Sequence, residues 1–337
     1  MNSKFRYSLE NFRGVAIIFV MFSHIASIQQ MGKFGDFYYY IFADATNWFV
    51  FISGYLFYYL EVNKFNYMNY LSKKAMYVVL PYLILSVLPI AFWIYSSQHI
   101  LYGLTPMKFV LWSLLSGGIA VAPMWFIPMI ALFFLMTPIF RILSKTKLIY
   151  VLTAGALIFS MFSSRTVHNT NPLLSFLHFL GVYVLGIIAA KDAYIIDGLK
   201  ESTKAKIISI SLVIFFVLGF LFPGFKSLPP SFFSGLGIFN YIMAGKLALL
   251  IAIFLLFERF MQHKNNTLGY FAKISFGLFF IHGIMEAIFR RGARDIDFGS
   301  PVLRFSAEVG VVVFVSIAVV FVLKKILKKW SRYVIGC

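Results

Sequence analysis

The chain has 337 residues, 61% of them hydrophobic and only 12% charged, and carries a net charge of +18. An average globular domain has about 25% charged residues, so a water-soluble fold is excluded for want of polar surface. The basic excess is scattered in short clusters between apolar runs, which argues against a nucleic-acid partner and for orientation in a bilayer.

Apolar runs of roughly 17 to 22 residues, about the length that crosses a hydrocarbon core, recur ten times. They are predicted at 12–28, 40–60, 75–95, 123–140, 148–163, 173–190, 207–223, 237–257, 271–288 and 303–323. Phe, Tyr and Trp, 19% of the chain, fall largely at the ends of these runs, where amphipathic rings suit the membrane interface. The expected fold is an all-α integral membrane protein of about ten transmembrane helices, forming a single domain over residues 1–337. The stretch from about 108 to 122 is apolar but short and Gly-rich, and is read as a re-entrant or surface segment leading into the fourth run.

With the amino terminus inside, cytoplasmic connections hold nineteen Lys and Arg residues, among them Lys4, Lys73, Lys74, Arg141, Lys324, Lys325, Lys328 and Lys329. Outside connections hold seven, including Arg165, Lys226, Arg290 and Arg291. This bias places both termini in the cytoplasm. No cleavable signal peptide is expected, because the first run carries Arg13 and His24 and lacks a small-residue cleavage site. Cys337 is the only cysteine, so no intrachain disulfide, Cys-based metal site or internal nucleophilic thiol is expected. His99, His168, His178 and His263 show no metal-ligand spacing, and no metal is assigned.

An ionisable group inside a span costs about 2.5 to 3.5 kcal/mol on insertion scales, so each one needs a reason. Arg13 and His24 are eleven residues apart. At about 100° and 1.5 Å per residue they lie within about 20° of one helix face and about 16 Å apart along it. That separation is comparable to the reach of an extended pantetheine arm. Arg suits phosphate through its planar fork of donors, and imidazole is the usual general base near neutral pH. The structural alternatives are snorkelling of Arg13 or its pairing with Glu10, and a plain interhelical hydrogen bond for His24.

Four stretches carry a family resemblance in order. LENFRGVAIIFVMFSH at 9–24 resembles the first helix of the acyltransferase-3 membrane family, with an acidic residue, Arg-Gly and a His near the helix end. WFVFISGYLF at 48–57 resembles its second-helix motif, here Ser53, Gly54, Tyr55 and Leu56. PMWFIP at 123–128 is similar to its Trp-Phe motif, and ISFGLFFIH at 274–282 to a late helix ending in His282. The resemblance implies ten helices in a stand-alone form with no appended soluble domain. It further implies transfer of an acyl group, commonly acetyl, from acyl-CoA to a carbohydrate hydroxyl on the extracytoplasmic side. Arg13 and His24 would be the essential pair. The family's paired basic motif stands here as Lys73 and Lys74, with Tyr77 where a second Arg is often found, a departure that removes a guanidinium from that motif.

The expected function is therefore O-acylation of a surface or exported polysaccharide in the bacterial inner membrane, with acyl-CoA, most simply acetyl-CoA, as donor substrate and no permanently bound cofactor. His24 is the candidate catalytic residue, acting as a base or through an acyl-histidine intermediate. Arg13, Lys73 and Lys74 are the donor-binding candidates. Ser53, Gly54, Trp125, His282 and Glu286 are candidates for the acyl channel or acceptor site. Structural readings stand beside these: close helix packing for Ser53 and Gly54, interface anchoring for Trp125, and hydrogen bonding for the His282 and Glu286 pair at i, i+4. Lys246 is expected to form a buried ion pair with Glu286, Asp44 or Glu308. The alternative function is a secondary transporter or flippase of a glycan or organic anion, and a weaker one a membrane scaffold. No paired internal repeat supports the transporter.

Overall fold

The computed structural model describes residues 6–163, 165, 169–221 and 239–337, and among these every regular element is helical. Lys4, His168, Lys226, and the predicted span edges at 222–223 and 237–238 lie outside the described residues. The main helices are α1 (Tyr7–Ser23), α2 (Gly32–Phe42), α3 (Thr46–Leu56), α4 (Tyr67–Tyr95), α5 (Pro106–Ser116), α6 (Phe126–Leu135), α7 (Thr137–Leu143), α8 (Leu148–Met161), α9 (Pro172–Lys191), α10 (Glu201–Leu221), α11 (Tyr241–Phe260), α12 (Asn266–Gly292) and α13 (Pro301–Val334). Several begin on a side-chain cap. Asn171, Asn240, Asn265 and Ser300 accept from the backbone N–H three residues on in α9, α11, α12 and α13.

Six of these helices (α4 and α9–α13) are long and apolar enough to cross a membrane, or eight if each of two bent pairs counts as one span. The bent pairs involve α1 with residues 26–64, at 67°, and the 122–143 region, at 53°. α8, at 14 residues, is shorter than a full crossing. Boundaries differ from the sequence expectation for local reasons. The run predicted at 12–28 ends as α-helix at Ser23, and a 3-10 helix follows over Ala26–Met31. The run predicted at 40–60 is divided at Asp44, whose φ of 54° no continuous helix accommodates. The run at 123–140 bends at Met136, ahead of Pro138, which cannot donate within a helix. The 108–122 stretch contains the C-terminal part of α5, ended by Gly117 at a φ of 80°.

α9 and α11 are mostly buried, whereas α4, α10 and α13 turn most of their surface outward. α1 packs chiefly on α12, α3 on α9, and α10 on α11. Two glycine contacts explain the closest approaches. A Cβ at Gly14 would collide with the Leu268 carbonyl oxygen, so the glycine beside Arg13 lets α1 lie directly on α12. Gly54 and Gly186 act reciprocally: a Cβ on the first would meet the Tyr183 carbonyl oxygen, and on the second that of Phe51. α3 and α9 therefore touch backbone to backbone.

Lys246 ends differently from the ion pair expected for it. It is buried, and its ammonium donates to the carbonyl oxygens of Tyr40 and Ile41, in the last turn of α2. A cation at the carboxyl end of a helix complements the orphan carbonyls there. Of its expected partners Asp44 lies within electrostatic range, but each of the three makes its close contacts elsewhere. Asp44 pairs with Arg165, Glu286 with Arg290, and Glu308 with the backbone at 26–27.

Candidate active site

α1 is buried along Phe12, Ala16, Ile17 and Met21; Arg13 lies in its first half and His24 caps its carboxyl end. Arg13 is half-buried and donates from Nε to Ser275 Oγ at 2.9 Å, while its guanidinium lies 6.0 Å from the Phe276 ring centre. Ser275 is buried on α12, so the close approach at Gly14 is what brings this hydroxyl within reach. Lys74 is half-buried, lies within electrostatic range of both Arg13 and Glu61, and rests its ammonium 4.8 Å from the Phe134 ring and 5.2 Å from that of Tyr70. Lys73, the next residue back, is exposed. Two cations from separate helices thus share one neighbourhood, a setting suited to an anion with several phosphates.

The carboxyl-terminal tail closes the same region. The Cys337 thiol packs on Gly277, where a Cβ would stand 2.6 Å from its sulfur, and burial pushes that thiol above its ordinary range although Lys324 and Arg13 draw it back. Arg332 lays its guanidinium 3.8 Å from the centre of the Tyr77 ring. A guanidinium from the tail therefore reaches Tyr77, the position where the resemblance would have an Arg.

At the other end, His24 closes α1 and its ring stands 5.2 Å from that of His282, centre to centre, tilted by 55°. His282 is fully buried, and its Nδ1 donates to the Leu278 carbonyl at 2.7 Å. The residue after it is Gly283, against which Pro123 packs so tightly that a Cβ would lie 2.7 Å from the proline ring. This contact seats the 3-10 turn Ala122–Trp125 over the histidine pair. Trp125 is buried and stacks on Phe179 at 5.9 Å and 19°, and the Arg165 guanidinium lies 4.7 Å over its ring. Arg165 is paired with Asp44 and is within electrostatic range of His24.

Beyond His24 the chain is held by Glu308 of α13, which accepts from the backbone N–H groups of Ala26 and Ser27 and from the Ser27 hydroxyl. Beside this 3-10 stretch opens a polar cavity of about 250 Å³ lined by Gln30, Asp297, Phe298, Ser300 and Arg304.

His24 and His282 thus come together, with Trp125 linked to them through Arg165, and Arg13 and Lys74 share their own neighbourhood. Gly54 lies in the α3/α9 seam, Ser53 beside it is half-buried, and Glu286 is bound by Arg290 at 3.1 Å. Sequence reasoning missed Ser275, Arg165 and the Glu308 clamp. Arg165 had counted only toward loop charge, and an acidic residue inside the last apolar run was the one signal for Glu308.

A family model described as an acyltransferase domain matches residues 6–325. No curated protein and no solved structure matches the chain.

Proposed function

We propose, from the premise that this chain belongs to the acyltransferase-3 family and is a membrane protein that moves an acyl group to a hydroxyl acceptor, a specific donor and acceptor. The donor is acyl-CoA, in the simplest case acetyl-CoA, approaching from the cytoplasm. The acceptor is a hydroxyl of an extracytoplasmic or exported polysaccharide, and the setting is the bacterial cytoplasmic membrane. Ten crossings, counted from the apolar runs, in a single domain, with both termini set inside by the charge bias, complete the reading.

The observation that supports it best is the arrangement along α1. Arg13 and Lys74 gather at one end, and about 16 Å away, by helical rise, His24 faces His282. Arg13 and Lys74 fix the phosphates, with Lys73 at the exposed edge, and the pantetheine arm runs along α1 to set the thioester beside His24. The acceptor hydroxyl oxygen attacks the thioester carbonyl as His24 takes its proton. The carbon–oxygen bond forms, the carbon–sulfur bond breaks, and the proton passes to the departing CoA thiolate. The polar cavity by Gln30 and Arg304 lies on the His24 side of the molecule and suits a hydroxyl-rich ligand.

The test is transfer or hydrolysis of radiolabelled acetyl-CoA by the purified protein in detergent, together with the acyl content of the surface polysaccharide in cells with and without the gene. A protein that moves no label from acetyl-CoA in either assay is a transporter or scaffold, and this reading is then wrong.

A further inference from the structure

We propose that His282 is the positioning residue that fixes the tautomer of His24, an inference that rests on the acyl-transfer reading above. The argument begins at a backbone carbonyl. The Leu278 oxygen can only accept, so the Nδ1 of His282 bonded to it at 2.7 Å carries the proton. In a neutral imidazole this leaves Nε2 as a bare lone pair. That nitrogen is fully buried and makes no hydrogen bond among the described residues, and a buried polar group left in that state calls for an explanation.

The ring of His24 lies beside it. Two imidazoles joined by an N–H···N bond of about 2.9 Å have ring centres roughly 5.2 Å apart, since each nitrogen lies about 1.1 Å from its own centre. The rings of His24 and His282 stand at 5.2 Å with a tilt of 55°. At that separation an N–H···N bond can form once the His24 ring turns to meet Nε2. His24 can turn because it sits at the end of α1, outside the regular helix. His282 cannot, being held through Leu278 within a continuous helix and hemmed in by Pro123 against Gly283. The fixed ring therefore sets the movable one.

The consequence is a chain with a defined direction. The Leu278 carbonyl accepts from His282 Nδ1, and His282 Nε2 accepts the one N–H of neutral His24. The remaining nitrogen of His24 then bears the lone pair that meets the acceptor hydroxyl. When His24 takes that proton it keeps its bond to His282, and it returns the proton to the CoA thiolate as the carbon–sulfur bond breaks. His282 stays neutral throughout. The one carboxylate of the same helix, Glu286, is bound by Arg290, which leaves His282 as that helix's acceptor for His24.

The test compares His282→Phe, which removes the acceptor nitrogen, with His282→Gln, whose side-chain oxygen replaces Nε2 as an acceptor without replacing imidazole as a base. Both are purified alongside wild type and checked for CoA binding to show that the fold is kept. His282→Phe is expected to lower kcat at least 100-fold with little change in KM for acetyl-CoA, and His282→Gln to recover to within about tenfold of wild type. A His282→Phe enzyme within threefold of wild type, or a Gln variant as inactive as Phe, overturns the positioning role. Nitrogen-15 spectra of His-labelled protein give a readout independent of turnover. The His24 ring is expected as one tautomer in wild type and as a mixture in His282→Phe, and a mixture in both sinks the inference. Absence of transfer by wild type itself would instead refute the acyl-CoA reading, leaving the spectra to decide the histidine pair.

Discussion

Glu308 holds Ser27 through two bonds at once, one to its backbone N–H and one to its hydroxyl, and so anchors the chain three residues beyond His24. The carboxylate sits at the amino end of the Ala26–Met31 3-10 helix, where unpaired N–H groups favour a negative charge. Glu308→Gln keeps the shape but loses the charge, and hydrogen bonds to a buried charge are worth about 1.5–3 kcal/mol each. The expected result is a roughly 10- to 100-fold fall in transfer with CoA affinity within about twofold of wild type. Calorimetry and a label-transfer assay on one preparation check this, and an unchanged transfer rate would show that His24 needs no such anchor.

Arg13 and His24 are expected to fail in different ways. Arg13→Lys keeps the charge but loses the planar fork and the bond from Nε to Ser275. CoA binding should weaken by about tenfold or more, equivalent to about 1.4 kcal/mol, in a protein that still inserts and folds. His24→Ala should bind CoA normally and abolish transfer, because it removes an interaction of the transition state. Retained transfer in His24→Ala would remove the catalytic assignment.

Among the remaining cations, position predicts rank. Lys74→Ala should weaken CoA binding more than Lys73→Ala, since only Lys74 is placed with Arg13. Arg332→Ala should also weaken it, because its guanidinium lies on Tyr77. Equal affinities across the three variants would place the phosphates elsewhere.

Cys337 reports topology and environment together. Burial raises its thiol pKa, so the reactive thiolate is scarce below the ordinary range of about 8.5 and grows as pH rises above it. Maleimide labelling should therefore be slow at pH 7 and faster at pH 9. An impermeant maleimide at the higher pH should miss Cys337 in intact cells and react after permeabilisation. Strong labelling of intact cells would reverse the orientation and the donor side with it.

Gly54→Ala tests packing against a channel role. The added methyl meets the Tyr183 backbone, so the variant should lose several kcal/mol of stability, about 1–3 for overpacking alone, seen as lower yield and a lower melting temperature. Ser53→Ala should leave stability unchanged. A stable Gly54→Ala protein with altered acyl-chain selectivity would favour the channel instead.

What could be read from the residues alone was whatever an apolar background makes conspicuous. Arg13, His24 and Lys246 stand out because the bilayer penalises charge, and the Gly14 and Gly54 contacts fit the small residues that helix seams require. The partners were not legible, because each comes from a distant segment. Ser275 joins Arg13 across 262 positions, and Glu308 joins Ser27 across 281. Lys246 was assigned a carboxylate on charge alone, yet helix-end carbonyls satisfied it. Span edges shifted for the same reason, since a tertiary contact at Glu308 and a left-handed Asp44 end helices whose hydropathy continues.

The reciprocal contact of Gly54 and Gly186 bears on how the protein can move. Helices separated by a layer of side chains slide by exchanging rotamers, but α3 and α9 have no such layer where they cross, and Gly14 removes it again where α1 meets α12. Those seams can open only by pulling backbones apart, a change too large to repeat at every turnover. Admission of the acceptor on the His24 side therefore falls to the short irregular stretches, the 3-10 turn Ala122–Trp125 and the 3-10 helix Ala26–Met31, which can shift without parting a helix pair.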